Sequence, residues 1–106
     1  MYRYFEYLKK SKRDLDENFE KYLVALRDLA RKYKRRAYVF GSYIRVESIG
    51  ASDIDILLEI PNSIDRLSVL HEARRLVSNR RIEIHVLNKS DAEIFKKIIK
   101  YYQEIC

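Results

Sequence analysis

The sequence predicts an α/β (α+β) domain of two layers, a sheet of at least three strands packed with helices. Three observations carry this. The chain has 106 residues, enough for one modest core. Its composition, 47% hydrophobic and 36% charged, is that of a folded domain with a strongly charged surface. Its apolar periodicity switches repeatedly between helical spacing and strand alternation. One proline and two glycines leave no room for a linker or a glycine-rich repeat, so residues 1–106 read as a single domain. Within it, 1–36 form a basic N-terminal helical region and 37–106 the core.

The elements follow in order. Leu15, Phe19, Tyr22, Leu23, Leu26, Ala30 and Tyr33 recur at helical spacing over Asp14 to Lys34, and Asp14 with Glu17 has the form of a capping box. Tyr2 to Leu8 is rich in aromatics and reads as a separate short helix or a docking arm. Ala37-Tyr38-Val39-Phe40 is a short strand ended by Gly41-Ser42, and Tyr43 to Glu47 starts a short helix. Asp53 to Ile60 is a strand closed by Pro61-Asn62. Ile64 to Val77 is an amphipathic helix with Leu67, Leu70, Ala73, Leu76 and Val77 on its apolar face. Arg81 to Leu87 alternates strictly, with Ile82, Ile84 and Val86 on one side. Ser90 with Glu93 caps a closing helix through Ile94, Phe95, Ile98, Ile99 and Tyr102.

Composition also excludes functions. No apolar run approaches the roughly 20 residues of a membrane span, and the charged N-terminus is no signal peptide. The single cysteine, Cys106, rules out an internal disulfide or a multi-cysteine zinc site and fits a reducing cytoplasm. The net charge of +6 lies entirely in residues 1–37, concentrated in Lys9–Arg13 and Arg31–Arg36. Such a field can attract nucleic acid, nucleotide phosphates or an acidic partner. It is equally a solvated helix face whose basic C-terminus complements the helix dipole. Nine tyrosines, including Tyr101-Tyr102, suit either an interface or ordinary packing.

Phe40-Gly41-Ser42 and Asp53-Ile54-Asp55-Ile56 carry the chemistry. Residues i and i+2 of a strand share a face, so Asp53 and Asp55 project together. Like charges side by side are unfavourable without a cation between them. Mg²⁺ binds in this way, through one or two carboxylates plus substrate phosphates. If the Arg81–Leu87 strand neighbours this one, Glu83 completes a three-carboxylate cluster suited to two ions and an in-line phosphoryl displacement. Gly41 lets backbone approach a ligand, the following helix start offers N–H groups to phosphate, and Ser42 and Arg45 can join them. Taken singly, each piece has a plainer reading: a solvated strand end, a turn, a solvent-facing glutamate, a turn serine at Ser52. His85 shares a strand face with Glu83 and reads either as a substrate contact or as a partly exposed strand histidine.

The order hydrophobic-Gly41-Ser42, ten residues, then Asp53-Ile54-Asp55-Ile56 resembles the signature of the DNA polymerase β-like nucleotidyltransferase superfamily. Together with Arg45 and Ser52, and with the short length, it is most similar to the minimal nucleotidyltransferase (MNT) group. The resemblance spans about residues 37–87. It implies a mixed sheet, a triphosphate held by Gly41 and Ser42 with Arg45 and Ser52 alongside, and metal at Asp53, Asp55 and Glu83. Those three would also be the catalytic residues, with ATP as substrate and Mg²⁺, two ions when nucleotide is bound, as cofactor. It also implies an antitoxin that transfers AMP to a tyrosine of a HEPN-type helical toxin encoded nearby. Two positions depart from the pattern: Val46 stands where glycine is common, and Glu83 where aspartate is common.

Two other classes of function stay open on the residues. One is a binding module of the same fold that neutralises a helical partner without catalysis. The other is nucleic-acid binding through the basic clusters. At this length the acceptor is expected to come from another chain, and a homo-oligomer is compatible with the sequence.

Overall fold

A computed structural model describes residues 2–41 and 54–106 of the chain. Among them, helix α1 spans Tyr2–Lys32, 31 residues without proline or glycine. The aromatic opening segment is therefore the first turns of α1 and not a separate element. Asp14 does not cap a helix. Its carboxylate instead accepts hydrogen bonds from Asn18 Nδ2 (3.0 Å), Tyr22 Oη (2.6 Å) and Asn79 Nδ2 (2.8 Å). The cap signal lost because Tyr2–Arg13 is itself rich in helix formers and continues the helix upstream. Arg81 strengthens the same junction, reaching Ser11 Oγ at 2.9 Å and the Leu8 carbonyl at 3.2 Å. Beyond Lys32 the chain turns at Lys34 (φ 62°), where the Arg35 N–H bonds the Ala30 carbonyl at 2.9 Å.

The strands are β1 (Ala37–Phe40), β2 (Ile54–Ile60), β3 (Ile82–Asn88) and β4 (Tyr102–Glu104). They form one mixed sheet in the order β3-β2-β1-β4. β1 is antiparallel to β2 and to β4, and β2 is parallel to β3. The parallel pair needs a crossover, supplied by helix α2 (Arg66–Leu76). Helix α3 (Lys89–Ile99) follows β3 directly.

Strand alternation sorts the core into two sides. On one, Val39, Ile54, Ile56, Leu58, Ile60 and Ile82 pack with Leu15, Leu26, Leu29 and Ala30 of α1 and Val69 and Ala73 of α2. Leu26, Ile56, Leu58 and Ile60 are fully buried there, each worth about 1.5–3 kcal/mol of burial. On the other side Tyr38, Phe40 and Leu57 pack with Ala92, Phe95 and Ile99 of α3. α3 thus adds a partial third layer to the helix-on-sheet arrangement.

Three local expectations are corrected. Of the expected apolar face of α2, Ala73 and the capping Val77 are buried, but Leu67 and Leu76 are exposed and Val69 is buried instead. An i, i+4 pair of small side chains lets α2 sit close on the sheet, and the larger leucines fall outside it. Helix α3 begins at Lys89, and its cap is Asn88, two residues before Ser90, with the Asn88 side chain accepting from the Asp91 N–H at 2.9 Å. It ends at Ile99, because Lys100 turns left-handed (φ 63°) and Tyr102 leaves the helical pattern to open β4 against β1.

Candidate functional site

Asp55 sits where three strands meet. It is paired with Phe40 of β1 on one side and with Glu83 of β3 on the other. The condition left open by the sequence, that β3 neighbours β2, is met, and the register sets Asp55 beside Glu83. Asp55, Leu57 and Glu59 point to the side of the sheet that carries α3, as do Glu83, His85 and Leu87.

The result is a cluster of Asp55, Glu83 and His85, each offering one donor atom within 4.8 Å of the others. His85 Nε2 lies 3.2 Å from Asp55 Oδ1. Both side chains are partly open to solvent, 40% for His85 and 26% for Asp55. Two aromatic rings hold the imidazole: Phe40 at 5.1 Å and Phe95 at 6.3 Å between ring centres, the latter stacked at 28°. Sequence reasoning left His85 among ambiguous residues. Its i, i+2 relation to Glu83 was the available signal, but Phe95 reaches the site from another element and had none.

Gly41 follows Phe40 and closes the site from the β1 side. Its φ is +85°, a conformation that side chains with a Cβ rarely adopt. A Cβ there would lie 2.7 Å from Asp55 Oδ2. Gly41 and Asp55, distant in sequence, are thus in direct steric relation. Ser42, Arg45, Val46, Ser52 and Asp53 lie outside the described residues, as does the expected short helix at Tyr43 to Glu47.

A second polar group lies on the same side of the sheet, two pairs of residues further along β2. Glu59 is buried and faces Lys96 Nζ at 3.0 Å and Arg35 Nη1 at 4.0 Å. Lys96 also donates to Tyr38 Oη at 3.0 Å, with its ammonium 4.3 Å from the Tyr38 ring centre. Burial works against the Lys96 charge, but the Tyr38 and Glu59 contacts outweigh it and hold its pKa above the ordinary lysine value. Much of the second basic run is engaged in this way: Lys32 pairs with Glu72 at 2.6 Å and Arg36 with Glu104 at 3.3 Å. The Lys9–Arg13 run lies along α1 and includes a Lys12–Asp16 pair at 3.5 Å.

The site is thus a mixed sheet bearing adjacent carboxylates, Asp55 and Glu83, at one end, with a left-handed glycine turn against Asp55. Residues 24–106 match the family described as Polymerase beta, Nucleotidyltransferase, and the chain belongs to that family. A solved structure of a proposed nucleotidyltransferase from Sulfolobus solfataricus is similar at 19% identity and a TM-score of 0.49. The match covers 79% of this chain and 82% of that one. No curated protein matches the chain at a significant level. The family generally uses divalent metals, and two carboxylates with an imidazole are a donor set that fits one. Among the described residues, no helix is long and apolar enough to cross a membrane.

Proposed function

We propose that the chain is a metal-dependent nucleotidyltransferase that moves AMP from ATP to a protein hydroxyl, a tyrosine on a HEPN-type helical toxin. The observation that carries this reading is the register of Asp55 with Glu83, closed on the third side by Gly41. Asp55 and Glu83, with Asp53, hold the metal, and Gly41 and Ser42 grip the triphosphate, with Arg45 and Ser52 beside them. A bound dication, Mg²⁺ by resemblance, supplies charge neutralisation at the phosphates. The acceptor oxygen forms a bond to the α-phosphorus, the bond to the pyrophosphate oxygen breaks, and pyrophosphate leaves with the electron pair. The acceptor proton passes to a carboxylate, for which Glu83, the more exposed of the pair, is suited. The chain's share of catalysis is positioning and electrostatics.

The test uses ATP labelled at the α-phosphate, incubated with the chain and the helical protein encoded beside it. Label should appear on a partner tyrosine, and Asp55→Asn should lower transfer by roughly 10²-fold or more. Undiminished transfer by Asp55→Asn would sink the assignment.

A second reading, neutralisation by binding alone, is favoured by one observation. Tyr4, Phe5 and Tyr7 on α1 and Ile94, Ile98 and Tyr101 around α3 are exposed. Here Asp53→Asn, Asp55→Asn still neutralises the partner, and loss of neutralisation with an intact complex would contradict it.

A further inference from the structure

The resemblance assigns the metal to carboxylates alone, and Mg²⁺ prefers an all-oxygen set. The described part of the site does not have one. It has two carboxylates and an imidazole. His85 Nε2 and Asp55 Oδ1 are 3.2 Å apart. Two neighbouring ligands of an octahedral ion with bonds of about 2.1 Å stand about 3 Å apart, so this spacing is that of a shared ion as much as of a hydrogen bond. Glu83 brings its donor atom within 4.8 Å of both. The ring packs against both Phe40 and Phe95 on one side, which restricts the orientations that binding would otherwise have to select. Phe40 is itself fixed by packing edge-on against Phe95, with 5.1 Å between ring centres.

Resting on the metal site of the proposed function, we infer that His85 is a nitrogen ligand in that site. Its presence makes the site bind a first-row transition-metal dication more tightly than Mg²⁺. Imidazole adds little to the affinity of a hard ion that dehydrates reluctantly, and much more to that of a transition metal. Two carboxylates and one imidazole leave positions open for substrate phosphates, so a nitrogen ligand is compatible with nucleotide chemistry.

Mn²⁺ is the probe, because its electron spin reports directly on a bound nitrogen. The purified full chain is loaded with Mn²⁺ and examined by pulsed electron paramagnetic resonance. A ¹⁴N coupling in the native protein, absent in His85→Gln, is the expected result. By calorimetry, His85→Gln should weaken Mn²⁺ binding about tenfold or more while changing Mg²⁺ binding little. The wild-type spectrum needs no variant to fold, so it stands on its own. Mn²⁺ bound without a nitrogen coupling, or bound equally well by His85→Gln, overturns the inference and leaves the proposed function in place; His85 then only hydrogen-bonds Asp55. Failure of the native chain to bind Mn²⁺ or Mg²⁺, with and without ATP, overturns both.

Discussion

A Cβ at Gly41 would sit 2.7 Å from Asp55 Oδ2. That single approach joins the two halves of the sequence motif, the glycine turn after β1 and the carboxylate of β2, into one site. It also explains why the turn requires glycine, since φ is +85° at the point of closest approach.

Gly41→Ala should therefore act twice. The left-handed backbone costs about 1–2 kcal/mol for any residue with a Cβ, and the new methyl group must displace the Asp55 carboxylate. The chain should fold with a lowered urea midpoint and weakened metal binding. In an Asp55→Ala background the same change should cost measurably less stability, because the collision is gone and only the backbone strain remains. Equal costs in both backgrounds would show that the carboxylate lies elsewhere.

The buried Glu59–Lys96 pair docks α3 on the sheet. Among the described residues, Lys96→Ala leaves buried Glu59 with the 4.0 Å approach of Arg35 Nη1 as its remaining ion pair. Loss of about 2–4 kcal/mol is expected from urea denaturation. Replacing both residues by leucine should recover much of that loss, because neither charge is then stranded. Phe95 is carried by the same helix, so Lys96→Ala should also loosen the ring packing around His85.

The Asp14 junction predicts stability limits at both ends of the pH range. The Tyr22 hydroxyl first, and Asn79 second, hold the Asp14 carboxyl below its ordinary 3.8. Its contribution is full above that value and is lost as pH falls through the lower folded value. Burial, reinforced by Asp14, pushes Tyr22 up to about 12 from 10.0. That contribution is full below 10.0 and is lost as pH rises through about 12. Asp14→Asn should flatten the acid limb of a stability–pH profile and bring the Tyr22 absorbance titration part of the way back. An unchanged profile would mean that the junction does not form.

Strands β1, β2 and β3 were legible because their signals are local, whereas the β2–β3 pairing that makes the site was open until the sheet order was known. β1 and β3 carry plain β patterns, and the i, i+2 rule placed Glu83 on the polar face before any neighbour was known. The C-terminal end of α1 was legible, but its start was not, and neither was the end of α3, which stops at a left-handed lysine, Lys100, where glycine would have announced it. Ile94, Phe95, Ile98, Ile99 and Tyr102 continue a helical spacing straight across Lys100, which hid β4, an exposed edge strand of three residues. Asp14 matched a cap motif yet serves a tertiary contact with Asn79, 65 residues away. His85 was ambiguous because what fixes it, Phe40 and Phe95, comes from other elements.

The most direct test of the account is calorimetry of ATP binding to the native chain with and without Mg²⁺, set against Asp55→Asn. Binding that requires the dication and disappears in Asp55→Asn is the predicted result. ATP binding that is indifferent to both the dication and the Asp55 carboxylate would contradict a nucleotide site built on Asp55 and Glu83.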